Sequence, residues 1–190
     1  MNYLYNPLPH SGIRNIVKAK DEYYYTSDDK KYIDLESGIW CASLGHNHDK
    51  INKIIIEHIN TLSHIIKRGL PTNLDSVAKK IVGLANIKGK VIFLNTGSEA
   101  IEFSIITAKQ VYKDAKVISF SNNYLAAYGQ ASKPDVQINI DPCLKCKQAI
   151  CADDCKVIKD KIVKNCIFIF DPFCFSRRVI IPPQKLIKRI

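Results

Sequence analysis

The sequence predicts an α/β fold with a mostly parallel sheet, preceded by a small N-terminal β-hairpin region. In the second half of the chain, apolar runs of strand length alternate with helix-length segments, which is typical of βαβ units whose sheet is covered on both faces. In the first half, aromatic, polar and apolar residues alternate around the acidic turn Ser27–Lys30. We therefore divide the chain into residues 1–48, a hairpin followed by a loop, and residues 49–190, the first part of a larger α/β domain.

The individual elements follow from local patterns. The hairpin is predicted within residues 21–36, on either side of the acidic turn. Apolar residues at helical spacing predict helices at three places: from Asp49, over 73–84 and over 98–113. Short apolar runs predict three buried strands: 91–94, 117–120 and 166–170. The segment 130–156 is predicted to be an irregular insertion that carries cysteines, and a further helix is predicted to start near residue 186.

Composition indicates a globular protein, because 46% of the 190 residues are hydrophobic and 24% are charged. The 28 Lys and Arg residues exceed the 18 Asp and Glu residues, which gives a net charge of +10. Such an excess suits an anionic partner such as nucleic acid. The lysines are scattered, however, and no basic stripe is interleaved with aromatic residues, so a bias toward Lys and Ile in the whole composition is the better interpretation.

The N-terminal sequence lacks the pattern of a secretory signal, which is a basic segment followed by an apolar run. No apolar stretch approaches the ~20 residues that a bilayer-spanning helix needs, so no membrane partner is expected. We expect the protein in the cytoplasm, where cysteines stay reduced.

The most informative segment is the turn that links the first predicted strand to the helix after it, Asn95–Ala100. Thr96 with Glu99 three residues later predicts a capping box. Backbone N–H groups at a helix start are unpaired and carry partial positive charge, Gly97 permits close backbone approach, and Ser98 adds a hydroxyl donor. Together these groups suit a phosphate. Many helices begin this way with nothing bound, so the pattern alone leaves a plain helix cap as the alternative.

Four segments in order give this turn a context: Tyr32–Ile51, which contains Gly38-Ile39-Trp40 and Leu44-Gly45-His46-Asn47-His48; Asn95–Ala100; Lys116–Tyr124; and Phe170–Pro183. Together they resemble the class-III pyridoxal-phosphate-dependent aminotransferases of the ornithine, acetylornithine and GABA type. The resemblance implies the N-terminal portion of a fold-type-I large domain, cut short. It further implies pyridoxal 5'-phosphate as cofactor and transfer of an amino group from an amine or amino acid to a 2-oxo acid.

The resemblance also implies roles for individual residues. Thr96, Gly97 and Ser98 would form the turn that holds the cofactor phosphate. Tyr124 would stack on the pyridine ring, because a flat aromatic face suits a flat, electron-poor ring. Trp40 would line the substrate pocket, with simple hydrophobic packing as an equally weighted alternative.

Cysteines and histidines raise the question of a metal. His46 and His48 lack a third ligand nearby in sequence, so we expect them to position a loop and cap the next helix. Four cysteines within thirteen residues are a better candidate for Zn²⁺ or an iron–sulfur cluster: Cys143, Cys146, Cys151 and Cys155. The alternative is a reduced cysteine-bearing loop without metal.

The chain departs from the family pattern at several places. Ile101 stands where the family has Asn, Leu125 where it has His, and Asp171 where it has Glu, while residues 175–178 replace a glycine-rich loop. No lysine matches the family position that bonds the cofactor, and the Asp that pairs with the pyridine nitrogen is also unmatched, so we assign no catalytic residue.

We therefore expect these 190 residues to be catalytically incomplete by themselves. Their expected partner is a second copy or a complementing C-terminal half. The alternative is a degenerate, non-catalytic dimerisation or metal-binding protein of the same fold.

Overall fold

The structure is a computed structural model that describes residues 15–62, 64, 73–152, 154–174 and 179–190. The chain forms two compact units, Met1–Lys80 and Ile81–Ile190, whose boundary falls within a helix. Each unit is described by itself. The division at residue 48 that the sequence suggests stays a prediction.

The first unit contains a three-stranded antiparallel sheet in the order β1-β2-β3, formed by Ile16–Lys20, Tyr23–Thr26 and Lys31–Ile33. The predicted hairpin is confirmed as β2 and β3, in which Tyr24 pairs with Tyr32. The turn between them is stabilised by Asp28, which accepts from the Thr26 hydroxyl at 2.6 Å and lies 2.6 Å from the Lys30 ammonium. Strand β1 adds to the edge of this hairpin and was not predicted.

Two described helices lie in the first unit, α1 Ser37–Trp40 and α2 Asp49–Thr61, and a third, α3 Leu74–Ala85, begins there and contains the boundary between the units. Helices α2 and α3 confirm the two helices predicted from apolar spacing, yet neither buries any residue fully. The single turn α1 is left-handed, because its four residues all have φ between 50° and 64°. Such values are strained for side chains as large as those of Ile39 and Trp40.

The second unit is built on a parallel sheet in the order β5-β4-β6: Val136–Ile138, Lys116–Phe120 and Cys166–Phe168. Its helices are α4 Gly97–Val111, α5 Asp141–Leu144 and α6 Gln184–Ile187. Central strand β4 is almost wholly buried, and Phe120 packs edge-on against Phe168 and Phe170 with ring centroids 5.1 and 5.6 Å away. The mostly parallel sheet predicted from the apolar runs is therefore confirmed.

Two predictions about this unit were wrong. Residues 91–94 do not form a strand, because no strand among the described residues lies beside them to complete a ladder. The segment 130–156 is not irregular throughout, since it contains β5 and α5. None of the described helices combines the length and apolar character needed to cross a bilayer.

Candidate functional site

The turn before α4 has the local structure that its sequence predicts. The Glu99 amide donates to the Thr96 hydroxyl oxygen at 3.1 Å, and the Glu99 carboxylate accepts from the amides of Thr96 and Asn95 at 3.2 and 2.9 Å. This is the predicted capping box. The Thr96 side chain therefore fixes where the helix begins, and its hydroxyl oxygen is already engaged.

The next two residues, Gly97 and Ser98, have backbone amides that are available to bind an anion. The amides of Gly97 and Ser98 donate to no residue among those described, and a Cβ added at Gly97 would meet no atom within 4 Å. Helix α4 has fifteen residues, so its unpaired N-terminal amides carry the partial positive charge of a full helix dipole. The turn is thus open and positive, which are two properties that a phosphate-binding turn needs.

A contact joins this turn to the segment that follows β4. The Ala127 amide donates to the Ser98 hydroxyl oxygen at 3.0 Å, so the Ser98 hydroxyl proton remains available to a ligand. Tyr124 lies three residues before Ala127 on the same segment, and 56% of it is exposed. The structure therefore brings the predicted phosphate turn and the segment carrying the predicted stacking residue into direct contact.

Two half-buried polar side chains that the sequence did not assign to the site lie next to Tyr124. Burial raises the pKa of Asp171, although a hydrogen bond from the Tyr124 backbone opposes that rise. One carboxylate oxygen of Asp171 and the amide oxygen of Asn123 are buried and have no partner among the described residues. Asn123 donates to the Cys174 sulfur at 3.1 Å. These residues follow β4 and β6 at the carboxyl edge of a parallel sheet, where ligands commonly bind. Their position directly after two predicted strands is the sequence feature that could have pointed to them.

Two departures from the family pattern have a common structural explanation. Ile101 on α4 and Leu125 after β4 both pack against the small core cluster that contains Ile105 and Val117. Apolar side chains at these two positions therefore extend a core instead of adding polar groups to the site. The glycine-rich loop replaced at 175–178 lies outside the described residues.

Trp40 belongs to the first unit and is 64% exposed on the left-handed turn α1. That turn is held by Asp34, whose carboxylate accepts from the amides of Glu36 and Gly38 at 2.9 Å each and from His46 Nε2 at 2.7 Å. Burial alone would raise the pKa of Asp34, but these hydrogen bonds and one from Tyr24 hold it well below its ordinary value.

His46 thus positions the loop, as predicted. His48 occupies the N-cap position of α2, but its side chain makes no capping hydrogen bond.

The four candidate cysteine ligands all line one cleft in the second unit, with a volume of about 470 Å³. Cys143 and Cys151 are buried, Cys155 is half-buried and Cys146 is exposed. Among the described side chains, no three are close enough together to hold a metal ion as they stand. The metal site therefore stays a prediction.

Comparison with known proteins identifies the family. The model of aminotransferase class-III matches residues 6–131. An acetylornithine aminotransferase from Aquifex aeolicus is 32% identical over 138 residues, which cover 70% of this chain and 36% of that protein.

Two solved structures share the fold. An ornithine aminotransferase from Toxoplasma gondii, crystallised with partial occupancy of pyridoxal phosphate, aligns over 96% of this chain and 46% of its own, with a TM-score of 0.72 and 21% identity. A taurine:2-oxoglutarate aminotransferase from Bifidobacterium kashiwanohense, in complex with pyridoxal phosphate and glutamate, aligns over 66% of this chain and 29% of its own, with a TM-score of 0.61 and 25% identity. This chain thus spans less than half the length of these relatives and has part of the fold-type-I architecture. It belongs to the class-III aminotransferases.

Proposed function

We propose that this chain supplies the phosphate-binding turn and ring-stacking segment of a pyridoxal-phosphate-dependent aminotransferase. The reaction is transfer of an amino group from an amine or amino acid to a 2-oxo acid. The observation that carries the proposal is the 3.0 Å hydrogen bond between the Ala127 amide and the Ser98 hydroxyl, because it joins an open, positive helix start to the segment bearing Tyr124. Related proteins act on acetylornithine, ornithine and taurine, so donors of that class are the first to assay.

The residues present fit the cofactor. The open space at Gly97, its amide and that of Ser98 would receive the phosphate, and the Ser98 hydroxyl would donate to it. The exposed ring of Tyr124 would cover one face of the pyridine ring. When bound, pyridoxal phosphate supplies an electron sink for the carbon that loses its amino group. Asp171, whose pKa is raised by burial, would place a carboxyl group beside the Tyr124 backbone.

The group that bonds the cofactor covalently belongs, in this proposal, to sequence outside these 190 residues. The chain covers 36% of the Aquifex relative, which leaves ample sequence in a whole family member for that lysine and for the acidic partner of the ring nitrogen. Trp40 remains the proposed substrate-pocket residue. A strained left-handed backbone at a bulky residue, stabilised by several hydrogen bonds to Asp34, is a pattern that clusters at functional sites. A cytoplasmic location is part of the same proposal.

The proposed partner is a second copy of this chain. Helix α2 carries apolar residues at helical spacing, and all of them are at least 41% exposed: Ile51, Ile54, Ile55 and Ile59. Ile55→Lys should weaken self-association in sedimentation velocity. Glu57→Lys, which introduces the same side chain about 200° around the helix, is the control and should not. Equal sedimentation of both variants and the unaltered chain would count against α2 as the contact surface.

The cofactor site is tested by comparing pyridoxal phosphate with pyridoxal, which lacks the phosphate, in equilibrium binding. The unaltered chain should prefer the phosphate form, and Gly97→Ala should weaken that binding by about tenfold or more, equivalent to ~1.4 kcal/mol. The added methyl meets no protein atom, so folding should be unaffected. Gly83→Ala is the matched control, since its added methyl also enters open space.

The stacking role of Tyr124 is tested separately. Tyr124→Phe keeps the aromatic face and should retain most of the affinity, whereas Tyr124→Ala should lose about 1 kcal/mol or more of binding free energy. Equal affinity for pyridoxal and its phosphate, or equal behaviour of these two variants, would contradict the proposed site.

A further inference from the structure

The loop 124–131, which follows β4 and contacts the turn at Ser98, has no regular structure of its own. It contains neither helix nor strand, and none of its backbone groups makes a backbone–backbone hydrogen bond with a described residue. The position of the loop therefore depends on side chains that lie outside it. Three of its amides, at intervals of three residues, donate to such side chains: Tyr124 to Asp171, Ala127 to Ser98 and Gln130 to Glu102.

Glu102 holds the end of this loop through both of its carboxylate oxygens. One oxygen accepts from the Gln130 amide at 2.8 Å, and the other accepts from the Gln130 side chain at 2.9 Å. Lys109 in turn donates to the side-chain oxygen of Gln130, so that side chain is held at both of its polar atoms. Glu102 and Gln130 are half-buried, which limits the competition of water for these hydrogen bonds.

Gly129 shows how closely the loop passes the same carboxylate. Its φ of 80° lies in the left-handed region, and a Cβ added there would displace the carboxylate of Glu102. A glycine is therefore required at this position both by the backbone conformation and by the space. The loop is thus packed against the Glu102 carboxylate as well as hydrogen-bonded to it.

The contacts of Glu102 and Ser98 come from one face of α4, because residues four positions apart are neighbours on a helix. Ile105 lies one turn further along and belongs to a core cluster that also contains Ala126 and Ala131 of the loop. The loop is therefore fixed along more than one turn of α4. Its contact with the turn at Ser98 is one part of a longer attachment.

The Ser98 hydroxyl accepts from the Ala127 amide, which leaves the hydroxyl proton available to a ligand. Ala127 lies three residues before Gln130, so a loop released at Gln130 would no longer be held against Ser98. We propose that Glu102 is a positioning residue that keeps the Ala127 amide on Ser98 and so orients the Ser98 hydroxyl toward the cofactor phosphate. This inference rests on the proposed function.

Loss of Glu102 should affect recognition of the phosphate more than binding of the ring. The Tyr124 amide, at the other end of the loop, donates to Asp171, a contact that does not involve α4. Pyridoxal has no phosphate for Ser98 to bind, so its affinity reports on the ring contacts alone. The ratio of the affinities for pyridoxal phosphate and pyridoxal thus separates a positioning role of Glu102 from a general loss of stability, which would lower both affinities.

The test is equilibrium binding of both ligands to the unaltered chain and to two variants at Glu102. Glu102→Ala should weaken binding of pyridoxal phosphate by about fivefold, since a hydroxyl that is not oriented loses part of a charge-assisted hydrogen bond, and should change pyridoxal binding by less than about twofold. Glu102→Gln has the same size but one acceptor oxygen, and should lie between Glu102→Ala and the unaltered chain. Glu57→Ala, at an exposed glutamate on α2, is the matched control and should bind both ligands normally.

A double-mutant cycle with Ser98→Ala shows whether Glu102 acts through that hydroxyl. In the Ser98→Ala background, Glu102→Ala should weaken binding of pyridoxal phosphate by less than about twofold, because the hydroxyl that it orients is absent. Amide hydrogen exchange of the ligand-free chain is an independent measurement. The amides of Ala127 and Gln130 should exchange at least about tenfold faster in Glu102→Ala than in the unaltered chain.

The outcomes distinguish this inference from the proposed function. If the unaltered chain binds pyridoxal and its phosphate equally, the proposed function is wrong and the positioning role of Glu102 is wrong with it. If the unaltered chain prefers pyridoxal phosphate, three results would overturn the positioning role alone: an unchanged preference in Glu102→Ala, an equal effect of Glu102→Ala with and without the Ser98 hydroxyl, or unchanged exchange of the Ala127 amide. Circular dichroism checks that each variant is folded, and Glu102→Gln decides by the same criteria if Glu102→Ala is not.

Discussion

The two units differ in how they bury apolar side chains. In the second unit, β4 and the elements around it enclose fully buried residues such as Ile105, Ile118 and Phe120. In the first unit, α2 has a pronounced apolar face but buries no residue fully, and the same is true of α3, which contains the boundary between the units. The second unit therefore has a core of its own, whereas the apolar faces of α2 and α3 are exposed. The difference shows that an amphipathic sequence predicts a helix with an apolar face, but does not guarantee that the described residues bury that face.

The largest expected effect breaks the core of the second unit. Phe120→Ala should lower the free energy of unfolding by about 3–5 kcal/mol, because it removes a buried ring from between Phe168 and Phe170. Chemical denaturation followed by circular dichroism measures this loss. Phe93→Ala, the same change at a 46% exposed position, is the control and should cost much less. Equal losses would mean that the two positions are packed alike.

The next effect concerns the loop of the first unit. Asp34→Asn should release α1, because the carboxylate accepts from His46 and from two backbone amides. Trp40 is the single tryptophan and lies on α1, so its fluorescence should report a lower melting temperature. Asp29→Asn, an exposed change in the hairpin turn, should leave that transition in place.

The same carboxylate gives this loop a predicted pH dependence. The pKa of Asp34 is lowered in the folded chain, so its stabilising contribution is complete above the ordinary carboxyl pKa of about 3.9 and is lost as the pH falls below that value. The unaltered loop should therefore melt at lower temperature as acid is added, while Asp34→Asn lacks this component. If the melting transition of Trp40 fluorescence had the same acid dependence in the unaltered chain and in Asp34→Asn, Asp34 would not be its cause.

A smaller effect is expected at the start of α4. Thr96→Ala should lower the free energy of unfolding by about 1 kcal/mol, because it removes the side chain that accepts from the Glu99 amide. Thr96→Ser keeps a hydroxyl and should be close to neutral. Thermal melts of the two variants make the comparison, and an unchanged alanine variant would show that the cap adds nothing measurable.

The smallest effect tests the uncovered face of the first unit. Ile55→Ala should change the free energy of unfolding of the dilute chain by less than about 0.5 kcal/mol, since half of this side chain is already exposed. A loss of several kcal/mol in dilute denaturation experiments would mean that α2 is packed within the single chain, and the contrast between the units would fail.

Features fixed by neighbouring residues were predictable from the sequence. The hairpin, α2, α3, the capping box at Thr96 and the buried strand β4 all arise from local spacing and turn chemistry. The strand expected at 91–94 failed because a strand exists only with a partner, and the sequence of a strand does not say whether its partner is present.

The site was predictable only where it depends on local chemistry. Gly97 and Ser98 follow from the helix start, but the buried, unpaired oxygens of Asp171 and Asn123 depend on β4 and β6 being neighbours. The pairing of β4 with β6 is a property of the folded sheet and cannot be deduced from the sequence of either strand alone. Likewise, the shared packing of Ile101 and Leu125, 24 positions apart, becomes visible only in three dimensions.

Residues 91–94 form an exposed apolar segment that should promote aggregation. Ile92, Phe93 and Leu94 are each more than 40% exposed, and their backbone groups form no hydrogen bond with any described residue. An apolar backbone stretch with spare donors and acceptors is a template on which identical stretches from other molecules can stack. Solutions of this chain should therefore gel or form fibrils as concentration rises, and a short peptide able to occupy that stretch should delay the process.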